Sequence, residues 1–565
     1  MTSPPAVITW AGGEEGAVVE VTATGGAAEA VHRAVPTPLD DRVASRLAAQ
    51  DPTLWGDRLA EYATDRLGWT ALHETSRPLV DEVAALRAEL QREGVDRVVL
   101  AGMGGSALAA EVIAGSAGVP LTVVDSTVPA QVARALDGDL ERTVLVVASR
   151  SGTTVETDSH RRVFIAAFQA AGVDPASRIV VVTKPGSPLA QLAEREGYRA
   201  VFTADPRTGG RFSALSAYGI VPSGLAGADV GQLLDQAADV APFFAADSEA
   251  NPALVLAAAL AATVPHRDLV PLVDAGSGLY HFTTWLEQLL AESLGKEGRG
   301  LLPVVVGPDA PEATAEGHLP VVITPLLDDD GAADDAPVPE ADATSVAPTE
   351  VSTAGSLGAM FLLWQHAVAV AGRLLEVNPF DQPDVESSKA ATRDLLEGMP
   401  SLEPPAFTDS GVEVRAPRHF LRGLSTVSAA LDALLAQLDP EHGYLAVLAY
   451  LDTRAAEPFR GLRDQLARRA GRPVTFGWGP QYLHSTGQFH KGGPPHGVFL
   501  ILTGGPATHL AIPGRDFDFA ELVRAQADAD AKVLTELGRP VLRLHVDTPD
   551  AMAWLAGSLA ARQTP

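Results

Sequence analysis

Residues 97–106 read RVVLAGMGGS and residues 142–156 read RTVLVVASRSGTTVE. Each is a short, unbroken apolar run that ends in glycines or hydroxyls and leads into helix-compatible sequence. PLTVVDS (120–126), RIVVVTK (178–184) and YRAVFTA (198–204) repeat the pattern at helix-length spacing. Strands buried on both faces read as continuous apolar runs, so these five segments predict a parallel α/β sheet covered by helices on both sides. The rhythm restarts after residue 251 with DLVPLVDAG (268–276), LLPVVVG (301–307) and LPVVITP (319–325), followed by a helical stretch over 355–376. It returns in 401–565 with YLAVLAYL, RPVTFGWG, GVFLILTG and RPVLRLHV. Upstream, residues 1–75 are rich in alanine and charge, and Leu39 to Leu67 carries apolar residues at three- and four-residue spacing, which predicts an N-terminal helical extension. Residues 327–351 are dense in Asp, Ala and Pro and read as a solvated acidic loop. The expected fold class is therefore α/β with parallel sheets, divided as a helical extension (1–75), two α/β units (76–240 and 241–400) and a C-terminal α/β segment (401–565).

Composition narrows the function classes. Among 565 residues, 46% are hydrophobic and 20% charged, ordinary globular usage, and the length suits three or four domains. The 71 acidic against 42 basic side chains leave a net charge of −29, which repels nucleic acid and anionic membranes. With no cysteine there is no disulfide framework, thiol nucleophile or Cys-ligated zinc, and a cytosolic protein is the expectation. The apolar stretch from Ala359 to Leu375 is interrupted by Gln365, His366 and Arg373, so no membrane span is expected. The fourteen histidines show no His-x-x-x-His spacing, and no metal or cofactor is expected.

The glycine turn 102–106 brings backbone close to a ligand and opens a helix whose exposed N–H groups favour an anion. That suits a dinucleotide as well as a sugar phosphate, and Asp125 ends the next strand where a ribose-binding carboxylate would sit. The third strand separates the two. Ser149, Ser151, Thr153 and Thr154 with Arg150 place four hydroxyls and a guanidinium within six residues at a strand's end. Such a cluster can surround a phosphate monoester, and dinucleotide folds do not require it there. A sugar phosphate is the better ligand.

These motifs, followed in order by Gly209-Gly210-Arg211-Phe212-Ser213, Glu287-Gln288 with Glu292 and Lys296, and Asn378-Pro379-Phe380-Asp381-Gln382-Pro383 with Glu386 and Lys389, resemble the sugar-isomerase domain family and, more narrowly, the glucose-6-phosphate isomerases. The resemblance spans roughly residues 95–395. It implies two doubly wound sugar-isomerase domains, conversion of glucose 6-phosphate to fructose 6-phosphate in glycolysis and gluconeogenesis, and dimers with sites near the subunit interface. It also implies roles: Glu292 as the base, Arg211 steadying the enediolate, and Lys389 opening the ring or touching a hydroxyl with Gln382 nearby. Gly105, Ser106 and the 149–154 loop would bind substrate.

Chemistry alone agrees that moving a proton between C2 and C1 needs a carboxylate and a positive group. Glu292 shares a helix face with Gln288, although an exposed pair with Lys296 is the commoner fate of such a residue. Glu287 has no assigned role. The family's Gly-Gln-His motif is absent from 300–377. Gly487-Gln488 is followed instead by Phe489 and His490, with His484 just before, in a segment similar to the isomerase half of fusions of transaldolase with phosphoglucose isomerase. A transaldolase barrel needs ~250 residues, so the isomerase part is expected alone. His484 and His490 are level candidates for the ring-opening acid, with His366 a third. Other readings are a dual phosphoglucose and phosphomannose isomerase, a non-catalytic sugar-phosphate sensor, and a dehydrogenase resting on Asp125.

Overall fold

The computed structural model describes residues 5–13, 16–315, 317–326, 350–398, 404–417, 419–505 and 508–561. It opens with a hairpin of β1 (Val7–Gly13) and β2 (Gly16–Ala23). Next come β3 (Arg97–Ala101), β4 (Thr122–Val124), β5 (Thr143–Ala148), β6 (Ile179–Thr183) and β7 (Ala200–Thr203), a five-stranded parallel sheet in the order β4-β3-β5-β6-β7. Side chains alternate faces along a strand. Val98, Leu100, Val144 and Val146 accordingly pack under helices Pro78–Arg92 and Ala217–Ala226, while Val99, Ala101, Leu145 and Val147 meet helix Val155–Ala170 on the other side. Both faces are covered, as the unbroken apolar runs require.

β8 (Leu269–Asp274), β9 (Leu302–Val306), β10 (Val321–Thr324) and β11 (Val351–Gly355) form a second parallel sheet, and the N-terminal hairpin extends it to the order β1-β2-β11-β10-β8-β9. This corrects the expected helical extension over 1–75: residues 7–13 and 16–23 are strands. Thr9, Ala11, Val19, Val21 and Ala23 are buried at two-residue spacing, a strand period made from side chains small enough to pass for helical composition. Helices begin only at Gly25–Ala34. Of the expected acidic loop, 327–349 lies outside the described residues. Its end is anchored, with Glu350 bonded to Arg267 at 2.5 Å and Val351 starting β11.

β12 (Phe407–Asp409), β13 (Val412–Arg415), β14 (Tyr444–Tyr450), β15 (Val474–Trp478), β16 (Gly497–Gly504) and β17 (Val541–Val546) make the third sheet, ordered β12-β13-β17-β16-β14-β15. One face packs on its own helices. The other, through Tyr444, Ala446, Leu448, Phe499 and Ile501, shares a core with Leu269, Leu302 and Val304 of the second sheet. That shared core places residues 480–491 at the junction of the three sheets. Helix Leu357–Leu374 is the single described helix long and apolar enough to cross a membrane, and nearly all of it is packed inside the protein.

Candidate active site

In the first sheet the chain steps from β3 to β4 on one side and then to β5 on the other. A crevice therefore opens at the carboxyl ends of β3 and β5, where ligands bind in open α/β sheets. A cavity of about 590 Å³ lies there, large enough for a hexose phosphate. Gly105 and Ser106 from the turn after β3 line it, as do Arg150, Ser151, Thr153 and Thr154 after β5. Ser149 stands just behind, its hydroxyl 2.9 Å from that of Thr154 and accepting from the Gly152 N–H at 3.1 Å. Thr154 stands at the N-cap position of helix Val155–Ala170 without a side-chain capping bond, so the loop presents hydroxyls beside the N–H groups of the helix start. Arg150 is tethered by carbonyls, with Nε donating to Thr208 O at 2.9 Å.

The glycines of the first turn have a structural reason. Gly104 has φ +52°, and a Cβ there would fall 2.8 Å from the His484 carbonyl. A Cβ on Gly105 would fall 2.3 Å from the Gly210 backbone. Three turns thus pack main chain to main chain, and the close approach delivers Arg211 to the cavity.

Helix Phe282–Leu294 carries Gln288 and Glu292 one turn apart on its cavity face. Glu292 is 6% exposed and Arg211 3% exposed, and Glu292 Oε1 lies 3.5 Å from Arg211 Nη1. Gln288 Nε2 donates to Glu292 Oε2 at 3.2 Å. Arg211 is held by Ser293 Oγ at 2.7 Å, by the carbonyls of Pro379 and Asp381 at 2.6 and 2.8 Å, and by Gln382 Oε1 at 3.3 Å. Burial pulls its guanidinium below the ordinary arginine value, opposed by Glu292. Lys296, the alternative partner for Glu292, instead donates to Asn378 O, Asp381 O and Asp381 Oδ1 at 2.7, 2.7 and 2.9 Å. Burial, and then Arg211, lowers it to about 8. Two buried cations thus grip the carbonyls of 378–381. Pro383 starts the next helix at N1, which puts Lys389 on the cavity wall, 2.7 Å from Glu386.

The third sheet completes the wall with Leu483, His484 and Gln526. His484 Nε2 lies 3.2 Å from Glu156 Oε1, and its carbonyl accepts from Gln288 Nε2 at 2.6 Å. Burial alone would raise the Glu156 carboxyl, but the His484 hydrogen bond and charge outweigh it and hold it below the usual glutamate value.

No family model matches the chain. A probable glucose-6-phosphate isomerase of Haloarcula marismortui is 32% identical over 415 residues, covering 65% of this chain and 91% of that protein. The chain belongs to the glucose-6-phosphate isomerase family. A family member from Thermus thermophilus, named glucose-6-phosphate isomerase, is 33% identical over 383 residues, covering 59% and 90% of the two chains. Among solved structures, a hypothetical protein of Thermus thermophilus superposes with a TM-score of 0.54 at 29% identity, covering 66% of this chain and 98% of that one. A glucose-6-phosphate isomerase from Chlamydia trachomatis, at 22% identity and a TM-score of 0.50 over 60% and 76%, shares the fold.

Within this family frame the structure separates the level candidates. His490 does not reach the cavity: it is 1% exposed, its Nδ1 3.0 Å from the Tyr444 hydroxyl, and burial pushes it to about 3, with Lys491 and Arg539 adding to the shift. His366 is also a core residue, packed against Trp69 and Phe244 and lowered by burial to about 4. Glu287 turns away toward the Val305 backbone, its carboxyl raised by burial to about 8. Asp125, the carboxylate of the dehydrogenase reading, is occupied by Gln481 Nε2 at 2.6 Å. Sequence reading missed Glu156, which directly follows the hydroxyl loop but meets its histidine from 328 positions away. It also missed Gln526, Tyr62 and Arg66 on the wall. Arg66 stacks over Tyr62 at 4.5 Å, and only tertiary packing brings it beside the loop.

Proposed function

We propose that the protein interconverts glucose 6-phosphate and fructose 6-phosphate through an enediolate, using the side chains gathered in this cavity. The observation that carries the reading is a buried Glu292–Arg211 pair facing a loop of hydroxyls and N–H groups across a sugar-sized space. The phosphate sits on Ser149, Ser151, Thr153 and Thr154, with Gly105 and Ser106 beside it and the cations of Arg150, tethered by carbonyls, and Arg66 at its flank. Glu292 takes the proton from C2 of the open-chain aldose, and the electron pair moves toward the C1 oxygen. The hydroxyl proton on O2 passes to O1, and the same carboxyl returns its proton to C1 to give the ketose. Arg211 faces the developing oxyanion, already desolvated and fixed by its carbonyl partners, so it need not reorganise as charge builds.

Ring opening belongs to His484. An imidazolium donates to the ring oxygen while Glu156 holds its Nε2–H, the arrangement of an acid oriented by a buried carboxylate. Lys389 and Gln382 take substrate hydroxyls, as does Gln288, whose Oε1 is buried without a hydrogen-bond partner among the described residues. The cytosolic setting and a homodimer belong to the same proposal. Purified protein, with chelator present, should turn over fructose 6-phosphate in an assay coupled to glucose 6-phosphate oxidation. Absence of turnover by folded protein would overturn the reading.

A further inference from the structure

One carboxylate oxygen in the cavity wall has two donors. Glu156 Oε1, besides its 3.2 Å contact with His484 Nε2, accepts from Gln526 Nε2 at 2.8 Å. Gln526 Oε1 in turn accepts the Thr127 hydroxyl at 2.6 Å. Glu156, Gln526 and Thr127 are 6%, 2% and 0% exposed, so water does not compete. Thr127 follows β4 of the first sheet, and Gln526 sits on helix Phe519–Glu536 of the third. The chain of bonds therefore crosses between the two units at the cavity.

Its polarity is determined by elimination. A flipped amide would set the Gln526 carbonyl against the Glu156 carboxylate, two acceptors with no proton between them, in a buried place where that repulsion is unscreened. The carboxylate therefore takes the NH₂, and the carbonyl end accepts the Thr127 hydroxyl, which serves either orientation. A carboxylate so held stays ionised and acts only as an acceptor. His484 must then carry its proton on Nε2, which frees Nδ1 to hold or release the second proton. A missing N–H from Gln526 removes this constraint: the carboxylate can swing, and the imidazole can take either tautomer.

We propose that Gln526, backed by Thr127, is a positioning residue that sets the tautomer and orientation of His484 by clamping Glu156. The inference rests on the reading of His484 as the ring-opening acid. Two readouts test it together. Ring opening is followed as exchange between the α and β anomers of glucose 6-phosphate by NMR, and the tautomer by ¹⁵N shifts of labelled histidine, with His484 assigned from the His484→Gln spectrum. In Gln526→Leu, anomer exchange should slow about tenfold, short of the ~10²–10⁴ that a general acid contributes, and the single Nε2–H signature should become a mixture. Affinity for glucitol 6-phosphate, which has the chain and phosphate but no ring or carbonyl, should not change. Thr127→Val should shift both readouts the same way by less, and the double variant should be no worse than Gln526→Leu, because the residues act through one bond chain. If Gln526→Leu does not fold, Thr127→Val carries the test. Unchanged tautomer and unchanged exchange in either folded variant would overturn the proposal. If His484→Gln itself leaves anomer exchange intact, it is the ring-opening assignment that fails.

Discussion

Asp125 ties the turn carrying His484 to the first sheet through Gln481, and burial, with Glu111 adding, holds its carboxyl up to about 7. A carboxyl raised in the folded chain binds a proton between about pH 4 and pH 7, where the unfolded chain has already lost it. Its contribution to stability is therefore complete below about pH 4 and is lost as pH rises through about 7. Asp125→Asn removes this dependence. Urea unfolding at pH 5 and pH 8 should show the variant gaining on the wild-type protein at the higher pH, and an identical difference at both would contradict it. Glu292 and Arg211 follow another logic. Each is a buried charge that depends on the other, so removing either leaves an uncompensated ion. Glu292→Gln, which keeps the shape and one of the two acceptor oxygens, is thus the most conservative change at that position.

Turns show why glycine is required where it is. Gly105→Ala would drive a methyl into the Gly210 backbone at 2.3 Å, and neither partner is a flexible side-chain end. We expect a loss of about 1–3 kcal/mol, by analogy with overpacked cores, and a fall in kcat as Arg211 moves, measured by denaturation midpoint and steady-state kinetics. A wild-type midpoint with normal turnover would contradict the packing argument. The same scale shows what sequence could reveal. The strands β3–β10 and β14–β17 were legible because parallel strands covered on both faces need continuous apolar runs. β1 and β2 were not, since threonine and alanine share their buried positions with only two valines, Val19 and Val21, and β11 was hidden by the acidic stretch before it. At the site, Glu292, Arg211, Lys389 and the hydroxyl loop were legible from local motifs. Glu156 and Gln526 were not, because a carboxylate beside a loop and a glutamine on an amphipathic helix acquire meaning only when the third sheet docks.

The docking of that sheet organises the whole molecule. Its inner face shares a core with the second sheet, and it delivers His484 to a cavity whose Glu292 and hydroxyl loop come from the other two. Since all these side chains belong to one chain, specific activity per chain should stay constant on dilution from micromolar to nanomolar enzyme. A steep loss on dilution, with no unfolding, would show that a second copy completes the site. The central claim is that Glu292 alone moves the proton, in a site where phosphate binding and ring opening are carried by other residues. The most direct measurement is exchange of the C2 proton of glucose 6-phosphate with deuterium from solvent, catalysed by Glu292→Gln and recorded beside anomer exchange in the same NMR sample. The account predicts that C2 exchange falls by at least ~10²–10⁴, the range of a lost general base, while catalysed anomer exchange persists. C2 exchange near the wild-type rate in the folded variant would contradict it.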